Sequence, residues 1–169
     1  MELSSREFWA LVHGIVFGSA FLLAFAGGFA GFWSLRPEFV TEAGVTERIR
    51  RMVAGTVGMA VVAWATVLTG TWIVYPWYRE KAPTSARSQL LADPNTSDWH
   101  EFGMEWKEHA AWLVPMLATA AAFVVLYYRE DLVRNKTARR LGLALLTGAF
   151  AVAAIVGLLG ALITKNASV

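Results

Sequence analysis

Four stretches of this chain, residues 8–33, 52–75, 109–128 and 141–164, each run for twenty residues or more without a single Lys, Arg, Asp or Glu. A bilayer core about 30 Å thick is crossed by roughly 20 apolar residues in a helix, and a charge inside it costs several kcal/mol. The runs are too long and too evenly apolar for barrel strands. The pattern therefore predicts an all-α membrane protein with four transmembrane helices. Short connections after the first and third spans favour an up-down-up-down bundle, with one long loop, residues 77–108, between the second and third. All 169 residues belong to this single unit. Composition agrees: 56% of the chain is hydrophobic and 17% charged, whereas soluble domains are about a quarter charged.

A net charge of +2 leaves no dense basic face for nucleic acid. With no cysteine, thiol catalysis, thiolate metal sites, iron–sulfur clusters and covalently attached haem are excluded. Within the first span, Ala24-Phe25-Ala26 before Gly27 has the form of a signal-peptidase site. Arg6 is offset by Glu2 and Glu7, however, and the apolar run continues to Trp33, so a retained helix is expected.

Orientation follows from Lys and Arg in the connections. Arg36, Arg48, Arg50 and Arg51 lie between spans one and two; Arg129, Arg134, Lys136, Arg139 and Arg140 lie between spans three and four. These nine outweigh the six on the other side, Arg6, Arg79, Lys81, Arg87, Lys107 and Lys165. Both termini and the long loop are expected to be extracytoplasmic, in a bacterial inner membrane. Six of eight tryptophans, Trp9, Trp72, Trp77, Trp99, Trp106 and Trp112, fall at that outer side. Interfacial Trp anchors spans, and so many on one side suggest a contact with a quinol or a redox partner subunit.

In the long loop, 82–88 reads as irregular. Asp98 with Glu101 three residues on has the spacing of a helix cap and predicts an amphipathic helix over 99–108, bent at Gly103 and lying on the membrane surface. Asn95-Thr96-Ser97 and Asn166-Ala167-Ser168 are glycosylation triplets of a kind that arises by chance. A weak internal repeat pairs His13 with His109 and Arg50-Arg51 with Arg139-Arg140.

All three histidines sit on the outer side. His13 lies ~8 Å inside the first span at 1.5 Å per residue. A strict helical period places it in line with Phe17, Ala20, Ala24, Gly27 and Gly31, a smooth stripe where a helix or a flat ring can lie close. His109 opens the third span, and Glu105 one turn earlier is placed to accept its second ring proton. Spans one and three lie on the bundle diagonal, roughly 12–14 Å apart, about the width of two imidazoles with iron between them. These positions predict a b-type haem held by His13 and His109, with Ala20, Ala24, Trp112 and Met116 lining it, Trp106 or Trp112 as its wall and His100 as an alternative ligand. The plan resembles small four-helix cytochrome b membrane subunits in architecture alone. It implies electron transfer or membrane anchoring without catalysis of its own. The rival expectation is a cofactor-free accessory subunit of a larger membrane complex, in which the small-residue faces pack against membrane partners and the long loop docks an extracytoplasmic component. Glu101, Glu105 and His109 share one helix face, but the Glu-x-x-His spacing of di-iron bundles is missing, so that face reads as solvated.

Overall fold

The computed structural model describes residues 3–167; Glu2, invoked above against cleavage, and Ser168 of the second glycosylation triplet lie outside them. The protein is 87% helix. Five helices organise it: α1 Ser5–Ser34, α2 Glu42–Tyr78, α3 Ala86–Ala92, α4 Trp99–Val133 and α5 Lys136–Asn166. All but α3 are long and apolar enough to cross a membrane. α1 begins with a capping box, Ser4 accepting from the Glu7 amide while the Glu7 carboxylate takes the Ser4 amide.

Packing runs around a ring. α1 lies along α2, α2 along α4, α4 along α5, and α5 returns to α1, while the diagonal pairs make no comparable contact. The core is built from Phe21 and Phe32 of α1, Met52, Met59 and Ala63 of α2, Ala118, Ala121 and Val125 of α4, and Leu146 and Ala149 of α5. Lipid tails are as apolar as these side chains, so van der Waals fit rather than water exclusion holds the helices together. Alanines at the contacts allow close approach. Where α1 meets α5, Phe25 stacks on Phe150 with centroids 4.1 Å apart. Phe32, 1% exposed, lies over Gly142 so closely that a Cβ there would stand 2.5 Å from its ring.

Arginines close one end of this ring. The Arg139 guanidinium donates to the carbonyls of Leu35, Leu132 and Val133 at 3.1, 3.0 and 2.8 Å, joining the C-terminal ends of α1 and α4. Arg48 donates to the Ser34 carbonyl at 2.9 Å. A helix leaves its last carbonyls without partners, and a cation there satisfies them. Arg50 and Arg51 instead pair with Glu47 on their own helix. The two Arg-Arg pairs of the apparent repeat are therefore used differently.

At the other end the long connection folds into a cap. Residues 82–88 are not all irregular, because Ser85 caps α3 by accepting from the Ser88 amide at 3.2 Å. Ala86 and Leu90, one turn apart, then join Tyr78, Met104, Ile163 and Ala167 in a second small core. Asp98 makes no side-chain cap, and the helix after it opens as a π turn, Trp99–Met104. That turn packs one face on the bundle: His100, Gly103 and Met104 are buried, and a Cβ on Gly103 would reach Leu159 of α5 at 3.9 Å. α4 loosens again at residues 111–112. Pro115 has no N–H for the Ala111 carbonyl, and the Val114 amide bonds to that carbonyl instead, at 3.2 Å.

Candidate functional site

The cap end concentrates the polar chemistry, and three π turns shape it: Val12–Val16 in α1, Gly70–Val74 in α2 and Trp99–Met104 in α4. A π turn inserts one residue and rotates everything beyond it. In α1 the buried residues are Phe21, Gly28 and Phe32, followed by Leu35 at its C-cap, one residue out of phase with the stripe projected from His13. Gly31 of that stripe still packs, a Cβ there falling 2.8 Å from Met52. Ala20 and Ala24 are half-buried, Ala24 against the core, while Gly27 is exposed with nothing near it.

His13 is seated on α2. Its Cε1 stands 2.7 Å from where a Cβ on Gly70 would be, so only glycine fits beneath the ring. Its Nδ1 lies 3.3 Å from the Thr69 hydroxyl, which donates its own proton to the Ala65 carbonyl at 2.7 Å. His13 therefore donates from Nδ1, and its Nε2 is left an acceptor.

His109 is exposed, with Nδ1 donating to the Glu105 backbone carbonyl at 2.7 Å rather than to the Glu105 carboxylate. Two residues earlier, Lys107 turns inward. Its Cε and Nζ both come within 3.3 Å of the Cβ position of Gly160 on α5, and its charge acts on His13. Two residues are about 200° apart around a helix, so with Lys107 pointing into the bundle His109 points away. The structure does not bring His13 and His109 together, and the pair does not fit the two faces of one haem. Trp112 packs edge-on against Trp64 and Trp72, with centroids 6.2 and 6.5 Å away. Met116 is 54% exposed beside a lateral apolar groove of about 730 Å³ that also touches Trp64 and Phe123. His13 is not among the residues lining that groove.

A polar cluster stands where α2 and α4 enter the cap. Glu108, next to Lys107, lies beside the Tyr75 hydroxyl, and its Oε1 is buried without a hydrogen-bond partner. The same hydroxyl accepts from Arg79, whose guanidinium is held above its ordinary range chiefly by that bond. Among the described residues Lys107 makes no hydrogen bond or ion pair, Glu108 included. Lys107 and Glu108 fall just before the uncharged stretch of the third span, where sequence counting assigns them to a solvated loop. The signal that could have found them is their place at i and i+1 on the helix leading into that span.

His100 lies deeper in the cap. Arg87 of α3 donates from Nε to His100 Nε2 at 3.2 Å, and Nδ1 is 2.8 Å from the Tyr78 hydroxyl. An arginine cannot accept, so this geometry requires a neutral His100 with its proton on Nδ1. Both ring nitrogens are taken, and the alternative ligand position is filled by protein. A second proton would set an N–H against the guanidinium. Burial is the main influence holding the imidazole below its ordinary range, the charges of Arg87 and Arg79 act the same way, and Glu105 and Glu108 oppose them. The tie between α3 and α4 is then complete above the ordinary histidine value of about 6.5 and lost as pH falls below it. Hydrogen exchange of the Ala86–Ala92 amides is expected to quicken several-fold between pH 7.5 and 5 beyond the intrinsic pH effect, and to lose this dependence in His100→Gln. Equal protection at both pH values contradicts the tie.

No group of three or more His, Asp or Glu side chains able to hold a metal ion occurs among the described residues. No protein-family model, known protein or solved structure matches the chain.

Proposed function

We propose that this chain is a four-span integral membrane protein, its spans in up-down-up-down order, that works as a cofactor-free accessory subunit of a larger membrane assembly. The observation carrying this reading is the bareness of α1. Only 6% of its most apolar window is buried, against 44% for α4, and Gly14, Gly18 and Gly27 have nothing within 4 Å of their Cβ positions. Lipid gains nothing from glycine, whereas helices in a bilayer meet at small residues. A span so little covered by its own chain, and so smooth where bare, suits another chain. The nine Lys and Arg residues of 36–51 and 129–140, against six elsewhere in the chain, support a cytoplasmic place for that end, in a bacterial inner membrane. The cap and both termini then face outward, where the Trp-rich end would meet an extracytoplasmic partner.

One observation favours a second reading, haem b. His109 donates from Nδ1 to a carbonyl, the arrangement that orients a metal-ligating histidine. Because His13 faces Gly70, that reading needs a second ligand from another chain.

Extraction of native membranes in mild detergent followed by native mass spectrometry tests both. The expected result is a complex containing this chain and other subunits, dispersed to monomer by Gly18→Leu, with no Soret absorbance assigned to this chain. A monomer from native membranes overturns the accessory reading. A Soret band abolished by His109→Ala replaces it with the haem reading.

A further inference from the structure

We propose that the end of the bundle opposite the cap holds one anionic phospholipid, its phosphate between Arg134, Lys136 and Arg140 and its acyl chains along α1. The place is a cavity of about 710 Å³ where the C-terminal end of α1 meets the start of α5. Five of its lining residues are cationic, Arg36, Arg134, Lys136, Arg139 and Arg140, with Glu38 the one acidic residue beside them. Arg36 comes from the first connection and the other four from around the third, so stretches a hundred residues apart bring their charge to one hollow. Orientation in a membrane depends on how many Lys and Arg an end carries and asks nothing of where they gather. Arg50 and Arg51, near the same end, pair with Glu47 on their own helix and do not line this cavity.

Among the described residues the side chains of Arg134, Lys136 and Arg140 make no hydrogen bond or ion pair, and all three are exposed. Arg139 is occupied by its three carbonyls, and Arg36 lies over the Trp33 ring, 3.9 Å from its centroid. Like charges so gathered repel one another, and an anion between them reverses the sign of the interaction. Phosphate oxygens suit the guanidinium fork, which meets them with two parallel hydrogen bonds. The rest of the wall is largely apolar. Phe32 and Trp33 end the first uncharged span, and Leu143 stands near the start of the fourth. The cavity thus straddles the level at which apolar span gives way to charged connection, where a phospholipid changes from acyl chain to phosphate. From Trp33, 52% exposed, the apolar surface continues along α1 to Phe29, whose ring stacks on Trp33 with centroids 6.4 Å apart. A soluble phosphate ester would use the cations and leave that surface bare. A zwitterionic phospholipid would set its own ammonium among them. Basic pockets between transmembrane helices are a recurring seat for anionic head groups.

The test is native mass spectrometry of the purified full-length protein in non-ionic detergent, titrated with phosphatidylglycerol or with phosphatidylcholine of the same acyl chains. The first phosphatidylglycerol is expected to bind about tenfold or more tighter than phosphatidylcholine. That preference should be lost in Arg134→Gln with Arg140→Gln and kept in Arg50→Gln with Arg51→Gln. The two double variants remove the same charge from the same end, so only position separates them. Equal binding of the two lipids by the wild type overturns the proposal, as does a preference that survives in the first variant or falls equally in both. Glycerophosphoglycerol, the head group without acyl chains, binding as tightly as the lipid would make the occupant a soluble phosphate ester and overturn it too. Should the first variant fail to fold, the wild-type comparisons decide alone. The result is separate from subunit association: a monomer that keeps the preference retains this site while losing the accessory role, and a complex without it does the reverse.

Discussion

Gly142→Ala is expected to destabilise the bundle by about 2–3 kcal/mol, the upper range for overpacking a well-packed contact, and Gly142→Leu to prevent folding. Alanine at a helical glycine usually stabilises, by up to about 1 kcal/mol, so the expected sign here is the reverse of the usual one. Its cause is local. The new methyl would stand 2.5 and 2.6 Å from two ring carbons of Phe32 and 3.3 Å from Val124, and Phe32 is buried, so its ring must shift to admit the methyl. Gly157, with nothing within 4 Å, is the control: Gly157→Ala should be neutral or stabilising. Thermal unfolding in detergent, followed by circular dichroism, measures both. Phe32→Ala combined with Gly142→Ala should cost less than the two changes summed, because the clash disappears. A Gly142→Ala protein as stable as the wild type would show that α1 and α5 do not meet at this point.

Arg139→Ala is expected to cost about 2–4 kcal/mol, since it strips a charged donor from three carbonyls at two helix ends, and each unsatisfied buried acceptor costs about 1–3 kcal/mol. Arg140, next in sequence, is exposed, and Arg140→Ala should change stability by no more than about 0.5 kcal/mol. Both substitutions remove one positive charge from the same connection, so they weaken the orientation signal equally and differ only in the carbonyls left bare. Arg139→Lys should recover part of the loss, as an ammonium lacks the planar fork. Equal effects of Arg139→Ala and Arg140→Ala would reduce Arg139 to one more positive charge among nine.

The four crossings were legible because an uncharged run of twenty residues has few alternatives. The site was less legible, for a geometric reason. Projecting His13 along α1 at a fixed 3.6-residue period assumes an unbroken helix, and the π turn Val12–Val16 shifts the packed face by one position. Sequence marks a π turn with no cap, proline or charge. Lys107 and Glu108 were hidden differently, because a charge near a span end reads as solvated unless a neighbouring helix is known to offer a glycine such as Gly160. Helix α3 left a readable trace in Ser85 as cap and in Ala86 and Leu90 one turn apart, obscured by the turn-forming residues before it. Asp98 and Glu101 had capping spacing, but the chain enters the helix through a π turn that places no side chain for the role.

Because the chain has no cysteine, pairs can be introduced without background, and the placement on which the site depends can be tested directly. Two double variants, His13→Cys with Gly70→Cys and His13→Cys with His109→Cys, are treated in membranes with a bis-methanethiosulfonate reagent about 5 Å long, within the usual Cα range of linked cysteines plus the reagent. Linkage of 13 to 70, with 13 and 109 left unlinked, is predicted. Efficient linkage of 13 to 109 without linkage of 13 to 70 would put the two histidines face to face and contradict the arrangement described.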